Sequence, residues 1–589
     1  MVLLVISGIS INMNTYIVAL NEGVNYADFW NEIENISPTD GFVPSRRVDI
    51  VNNRDAFKRL CEYSLTEEEA EQLRNDPRVA AVERPVRDLP FVKIVHDAVL
   101  VKNFNKTTSS KGSEVNWGLL RHSSTSNVYG TGTATSLKYS YGLDGTGVDV
   151  VINDEGLQVD HPEFDGRVLD VGWDSYTSGG LTGLNAISRI DTGGHGTHVA
   201  STAAGKTYGW AKGANIIPLY YASGDIDGNG EPLDIFEALI NWHNSKTNNR
   251  PTVVNMSWSL RINLDQNNLL NEILTLFSSI TGGSYRGSPV LANQLPNYYY
   301  QRGIVPAFAQ LPVQDLDGPV SGSLPFSSIA YNNALTEVID AGIIVVRAAG
   351  NAGFKIDTPN NLGGSGDYDN FFVSSIIGKN YYHRGASPLD PRAIVVGNLD
   401  SIVASNGKDQ RSSNYGSMAG PRVDIWAAGT NILAACSNTN EMNAQAYQHG
   451  TPSENAQYKQ VNISGTSMAA PQVTGIIALR LQQQPLANIK ASTNCETIKS
   501  WLIENSLKNQ IQDFGTPTAY TELKSLLGGP NRIAYINPVV ITYSYIKDSA
   551  NTWRQARAVY VKHTDGTWKQ AKSGWKKNNA GAWEKIYES

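Results

Sequence analysis

Ser464-Gly465-Thr466-Ser467-Met468-Ala469-Ala470-Pro471 is the stretch on which the reading of this chain turns. Small residues surround Ser467, the candidate nucleophile of this stretch. A serine hydroxyl is a poor nucleophile alone. It needs a base to take its proton and a further group to orient that base. The octapeptide by itself is equally a small-residue helix start, so its meaning depends on partners elsewhere.

Those partners stand upstream. Gly147-Val148-Asp149-Val150-Val151-Ile152-Asn153 reads as a strand of a buried parallel sheet, and it delivers Asp154-Glu155-Gly156, then Asp160-His161-Pro162-Glu163-Phe164. Gly193-Gly194-His195-Gly196-Thr197-His198-Val199-Ala200 places a histidine at a glycine-rich helix start, and Ile343–Arg347 runs as a strand into Ala348-Ala349-Gly350-Asn351-Ala352-Gly353.

These four segments resemble the motifs of the subtilisin-like serine proteases (subtilases), in the family's order of Asp154, His195 and Ser467. The resemblance implies an α/β fold of three layers around a mainly parallel sheet, and a serine endopeptidase working through an acyl-enzyme. It assigns Asp154 to orient His195, His195 to act as base and then acid, and Asn351 to stabilise the oxyanion with the Ser467 backbone N–H. By the same resemblance Ser257, Trp258 and Ser259, with Ala348, Ala349 and Gly350, line the substrate cleft, and Gly228, Asn229 and Gly230 form its opposite edge. Trp258 and Ser259 stand where the family has smaller residues, which predicts narrowed side-chain pockets.

One departure matters. Glu155 replaces the usual Ser or Thr, and a second carboxylate at about 4 Å from the first would cost roughly 4 kcal/mol at an effective dielectric near 20. In extended backbone it would face the other way and couple less. Ser201 replaces a usual glycine. His198 reads as a packed helix residue, because His-x-x-His lacks the spacing and Glu of a metalloprotease helix. Asp225-Ile226-Asp227-Gly228-Asn229-Gly230 opens like a calcium loop, but its twelfth position is Phe236 instead of Glu. No metal is assigned; catalysis by this family needs no cofactor, and the resemblance allows structural calcium.

At 589 residues the chain exceeds one core, and 41% apolar with 17% charged residues describes a globular protein. The net charge of −7 argues against nucleic-acid binding, and no run is apolar and long enough to span a bilayer. Cys61, Cys436 and Cys495 form neither a disulfide framework nor a metal pattern and read as buried thiols made in a reducing compartment. Met1 to Ile11 is apolar without the basic residues of a secretory signal.

Four regions follow. Residues 1–95 read as a small α+β, ferredoxin-like module: strands near Thr15–Leu20, Arg47–Val51 and Val79–Glu83, helices over Tyr26–Ile36 and from about Glu67 to Asn75. Tyr16–Leu20 and Leu73–Glu83 resemble the inhibitor-type propeptide of subtilases, which implies that the module aids folding and that its tail occupies the active site until cut. Residues 96–114 are expected to be a linker containing the cut. Residues 115–540 carry the catalytic domain, opened by Asn116-Trp117-Gly118-Leu119, with insertions at 261–330 (including Pro296-Asn297-Tyr298-Tyr299-Tyr300) and 352–388.

Residues 541–589 form a β-rich tail with Trp553, Trp568 and Trp583 at a period of 15, and 9 Lys and Arg against 4 Asp and Glu. It resembles the Trp-rich repeats that end many tailed-phage virion proteins; a sugar-binding module or a self-packed domain are the alternatives. The resemblances together imply a self-processing enzyme made in the host cytoplasm and carried on a phage particle, with its own propeptide, peptide substrates and neighbouring virion proteins as partners. A latent virion scaffold and a secreted degradative protease remain open.

Overall fold

In a computed structural model the chain is described over residues 13–35, 41–89, 92–95, 99–100, 116–134, 139, 141–177, 182–221, 231–263, 278–291, 323–353, 355–385, 389–412, 416–438, 458–514 and 524–536. In the tail it describes 545–547, 553–555, 560–562, 568–570, 573–577 and 583–588.

The Val- and Ile-rich runs pair as an eight-stranded sheet in the order 507–508, 532–533, 425–428, 394–399, 344–348, 252–256, 149–154, 215–220. Every pairing is parallel except that of Leu507–Lys508 with Arg532–Ile533. Asp149–Asp154 and Ile344–Ala348 are buried along their whole length, as strands with both faces covered must be. Two helices cross close to this sheet, His195–Ala204 and Thr466–Gln483. Gly475 permits the approach, since a Cβ there would run into Trp210 and lie 2.7 Å from the Ala203 carbonyl oxygen. Both helices start where the parallel strands end, the usual place for chemistry in such sheets.

The N-terminal module has the two helices expected, Tyr26–Asn35 and Glu67–Arg74, the second with a Thr66–Glu69 capping box. Its sheet contains a strand that the sequence reading lacks, Leu60–Leu65, between Asp49–Asn52 and Asn14–Leu20, with Val79–Glu83 on the far edge. The polar residues Glu62 and Ser64 hide that strand from a hydrophobicity scan, yet Glu62 is buried because Arg54 pairs with it.

This module docks on two helices, Pro232–Ser245 and Ile329–Asp340. Glu83 caps the start of the second: its carboxylate accepts from the Ile329 N–H at 3.0 Å, the Ala330 N–H at 3.2 Å and the Ser328 hydroxyl. Arg54, 1% exposed, binds Glu62 of its own module and Asp234 of the first helix, with Glu237 at 3.9 Å.

Downstream, Val92–Val95 and Val99–Leu100 are strands paired to the catalytic domain, the second inside the region expected to be linker; residues 96–98 and 101–115 lie outside those described. The two insertions meet. Ile280–Tyr285 and Ser288–Leu291 of the first pair with Phe371–Ser374 and Gly378–Asn380 of the second in one antiparallel sheet. Pro296–Tyr300 lies outside the described residues. Among the described residues of the tail, three antiparallel strand pairs set Lys547, Lys562 and Lys577 in register with Trp553, Trp568 and Trp583. The first, from Tyr545–Lys547, extends the repeat by a strand the sequence reading did not count.

Replacing Arg54 with Met in a Ser467→Ala background removes the buried cation that Asp234 and Glu62 share, leaving Glu62 with Arg87 and Asp234 without its ion-pair partner. Urea denaturation is expected to show a loss of about 3–5 kcal/mol; a loss under 1 kcal/mol would mean that the interface does not depend on this cation.

Candidate active site

Asp154 closes the strand Asp149–Asp154 and His195 opens its helix, so each backbone already aims its side chain at the same sheet end. The His195 Nδ1–H donates to Asp154 Oδ1 at 2.7 Å, and the Glu155 N–H donates to the same oxygen at 2.9 Å. Both side chains are fully buried. A carboxylate on Nδ1 fixes the tautomer that leaves Nε2 as the basic nitrogen.

Ser467 is the second residue of its helix. Pro471, four residues on, has no N–H with which to bond the Ser467 carbonyl. The Ser257 hydroxyl donates to that carbonyl instead, at 3.0 Å. Ser257 in turn accepts from Asn255 Nδ2 at 2.8 Å, and Asn255 Oδ1 accepts from the Thr474 hydroxyl at 2.9 Å. Strand and helix are thereby locked together around the serine. The Ser467 hydroxyl donates to the Ser257 carbonyl at 3.0 Å.

Thr466 ties the third segment in. Its hydroxyl accepts from the Gly350 N–H at 3.0 Å and donates to Asn351 Oδ1 at 2.8 Å, while its own N–H donates to the same oxygen at 2.8 Å. With the amide oxygen of Asn351 so occupied, its Nδ2 donor is turned away from Thr466. Sequence reasoning missed this role: Thr466 lies inside a recognised motif, but its function exists only once two distant loops touch.

A small pocket lies beside Ser467, lined by Ser257, Trp258, Ser259, Ala348, Gly350 and Thr466. Ala349 is off its surface, with its N–H on the Val396 carbonyl at 2.9 Å. The Trp258 ring is tied inward, Nε1 donating to Asn153 Oδ1 at 2.8 Å and the ring stacked on Phe236. Gly228, Asn229 and Gly230 lie outside the described residues.

Glu155 does not share its neighbour's direction. Its carboxylate sits against Gly193, where any side chain would collide with it, and accepts the backbone N–H of His195 at 2.6 Å. It thus serves the positive end of the histidine helix. Asp191, also unread in the sequence, accepts from the Gly194 N–H at 2.6 Å, the Thr197 N–H at 2.8 Å and the Thr197 hydroxyl. Burial raises the Glu155 pKa, and burial followed by the Glu155 charge pushes Asp191 up to about 7. His198 Nε2 lies 2.9 Å from the Ile432 carbonyl and 3.2 Å from that of Val461, and burial lowers its pKa to about 3, so it packs as a neutral ring. Among the described residues no three His, Cys, Asp or Glu side chains are grouped to hold a metal, no helix is long and apolar enough to cross a membrane, and the three cysteines are buried.

The profile of the subtilase family matches residues 145–521, a span that includes Asp154, His195, Asn351 and Ser467. The chain belongs to the subtilase family. Subtilisin-like protease 3 of Arthroderma otae is 26% identical over 500 residues, covering 82% of this chain and 85% of the relative. The extracellular serine proteinase of Thermus sp. (strain Rt41A) is 26% identical over 443 residues, covering 75% and 70%. The crystal structure of fervidolysin from Fervidobacterium pennivorans, a keratinolytic enzyme related to subtilisin, aligns with TM-score 0.46 and 17% identity over 91% of this chain and 62% of that one.

In this subtilase two strands from its own N-terminal region pair with segments near Ser467. Val92–Val95 pairs antiparallel with Ser259–Ile262, and Val99–Leu100 with Ile463–Ser464.

The raised Asp191 pKa gives a signed pH effect. A carboxyl favoured in its protonated form by folding contributes stability that is full below its ordinary pKa near 4 and is lost as pH rises through about 7. Asp191→Asn removes that loss. The melting temperature of wild type relative to the variant is therefore expected to fall between pH 4 and 8 by calorimetry, in Ser467→Ala backgrounds; a pH-independent difference would contradict the assignment.

Proposed function

We propose that this subtilase is a serine endopeptidase that processes itself. The observation that carries the reading is the 2.7 Å bond from His195 Nδ1–H to Asp154 beside the helix that presents Ser467. His195 Nε2 takes the Ser467 proton as the hydroxyl attacks a peptide carbonyl. The Asn351 amide and the Ser467 N–H receive the developing oxyanion, and His195 returns its proton to the leaving amine. Residues up to about 95 act as the propeptide, supported by the strand Val92–Val95 that they pair with Ser259–Ile262 beside the pocket.

A second reading, a latent member kept shut by that same segment, draws on the Ser467 hydroxyl bonding to the Ser257 carbonyl. The setting we propose is a phage particle, with the repeated Trp–Lys strand pairs as its attachment element.

Intact masses of wild type and Ser467→Ala, fresh and after incubation, test the activity. Wild type is expected to split between residues 92 and 116 and the variant to stay whole; two uncut proteins would favour the latent reading. Asn351→Ala is expected to lower kcat about 10²–10³-fold, the cost of losing this donor in subtilisin itself, and an unchanged kcat would remove Asn351 from the mechanism. Gradient-purified particles should contain catalytic-domain peptides by mass spectrometry; particles without them overturn the setting.

A further inference from the structure

Glu155 touches both members of the buried Asp154–His195 pair. Its N–H donates to Asp154 Oδ1 at 2.9 Å, and its carboxylate accepts the backbone N–H of His195 at 2.6 Å. With the 2.7 Å bond from His195 Nδ1 to Asp154, these bonds close a ring through three residues. Two glycines make the ring possible. Gly193 leaves the space that the Glu155 carboxylate fills. Gly156, at φ +106°, turns the chain directly after Glu155, where a Cβ would collide with the Ile190 carbonyl oxygen. Glu155 is 8% exposed, so its charge acts mainly through protein and is weakly screened.

The Asp191 carboxyl hydrogen-bonds to Glu155 and accepts from the Gly194 and Thr197 amides. Two carboxyls joined in this way hold one proton between them. Burial and the Glu155 charge favour that proton on Asp191, so below about pH 7 the two carboxyls carry a single negative charge, on Glu155. The other titratable groups facing them are Asp154, His195, Tyr221 after the strand Asn215–Tyr220, and Cys436 at the end of Ile432–Cys436. Burial raises the Tyr221 hydroxyl and the Cys436 thiol, so neither adds charge.

Such an arrangement is suited to hold a positive ring. As Ser467 Oγ bonds to a peptide carbonyl carbon, its proton passes to His195 Nε2. The imidazolium lasts until that proton goes to the leaving nitrogen as the C–N bond breaks. Asp154 meets it at Nδ1, and Glu155 meets it from the backbone side. We propose that Glu155 is a positioning residue of the reaction, which fixes His195 through its backbone N–H and whose negative charge stabilises the imidazolium formed as Ser467 attacks. The proposal rests on the endopeptidase reading and adds a residue to its machinery.

Glu155→Gln tests it, because the amide keeps an oxygen for the His195 N–H and removes the charge. In full-length Ser467→Ala chains with ¹⁵N-labelled imidazoles, the His195 ring is identified by its absence in His195→Ala and titrated by NMR. Loss of a nearby negative charge disfavours protonation, so the His195 midpoint is expected to fall by about one unit in Glu155→Gln. It should not fall in Asp191→Asn, which keeps the Glu155 charge. In chains with Ser467 intact, kcat/KM for fluorescein-labelled casein should drop about tenfold in Glu155→Gln near neutral pH, the factor that one unit represents. Its acid limb should move to lower pH, and Glu155→Asp should keep the wild-type limb. An unshifted His195 midpoint in Glu155→Gln overturns the proposal whatever the rate, since a purely structural role needs no charge. A shifted midpoint with undiminished hydrolysis overturns the part played in the reaction and leaves the endopeptidase reading intact. No hydrolysis by wild type, with Ser467 unlabelled by a fluorophosphonate, overturns both.

Discussion

A carboxylate and an imidazole, both without solvent exposure, share the hydrogen bond between Asp154 and His195. Burying such a pair is costly unless its remaining polar atoms are also satisfied. Much of the surrounding structure meets that demand. The Glu155 N–H donates to the Asp154 carboxylate, and the Glu155 and Asp191 side chains gather the first amides of the histidine helix. The serine is held by an equally local device: Pro471 releases the Ser467 carbonyl, Ser257 claims it, and Thr466 fixes Asn351 from the other side. The site is therefore stiff because its members are bonded to one another's backbones.

The candidate-site segments were legible in the sequence because Asp154 and Asn351 close or follow buried Val- and Ile-rich strands, while His195 and Ser467 each open a helix in a motif of small residues. What was not legible depends on contacts between distant segments. Thr466 sits in plain view in its motif, yet its bridge to Asn351 needs two loops to meet. Glu155 read as a threat to the histidine; its direction was fixed by the missing side chain at Gly193. The strand Leu60–Leu65 escaped because its buried Glu62 looks like a surface residue until Arg54 is placed beside it. The joining of the two insertions into one sheet had no local signal at all.

The N-terminal module and the cleft are linked by the same short chain. Glu83 anchors the module to a helix start, and within a dozen residues the chain has become a strand on Ser259–Ile262. A helix cap at one end and a β ladder at the other tie this segment to the catalytic domain at two places.

The central claim is that the Asp154–His195 pair is what makes Ser467 a nucleophile. The most direct measurement is the half-time of the full-length chain in wild type and in Asp154→Asn, followed from pH 5 to 9. A neutral amide in place of the carboxylate favours the wrong histidine tautomer. The expected result is a slowing of about 10⁴-fold near neutral pH with the fold unchanged by circular dichroism. Equal half-times would contradict the account, and would mean that the bond at Asp154 holds the structure together without driving its chemistry.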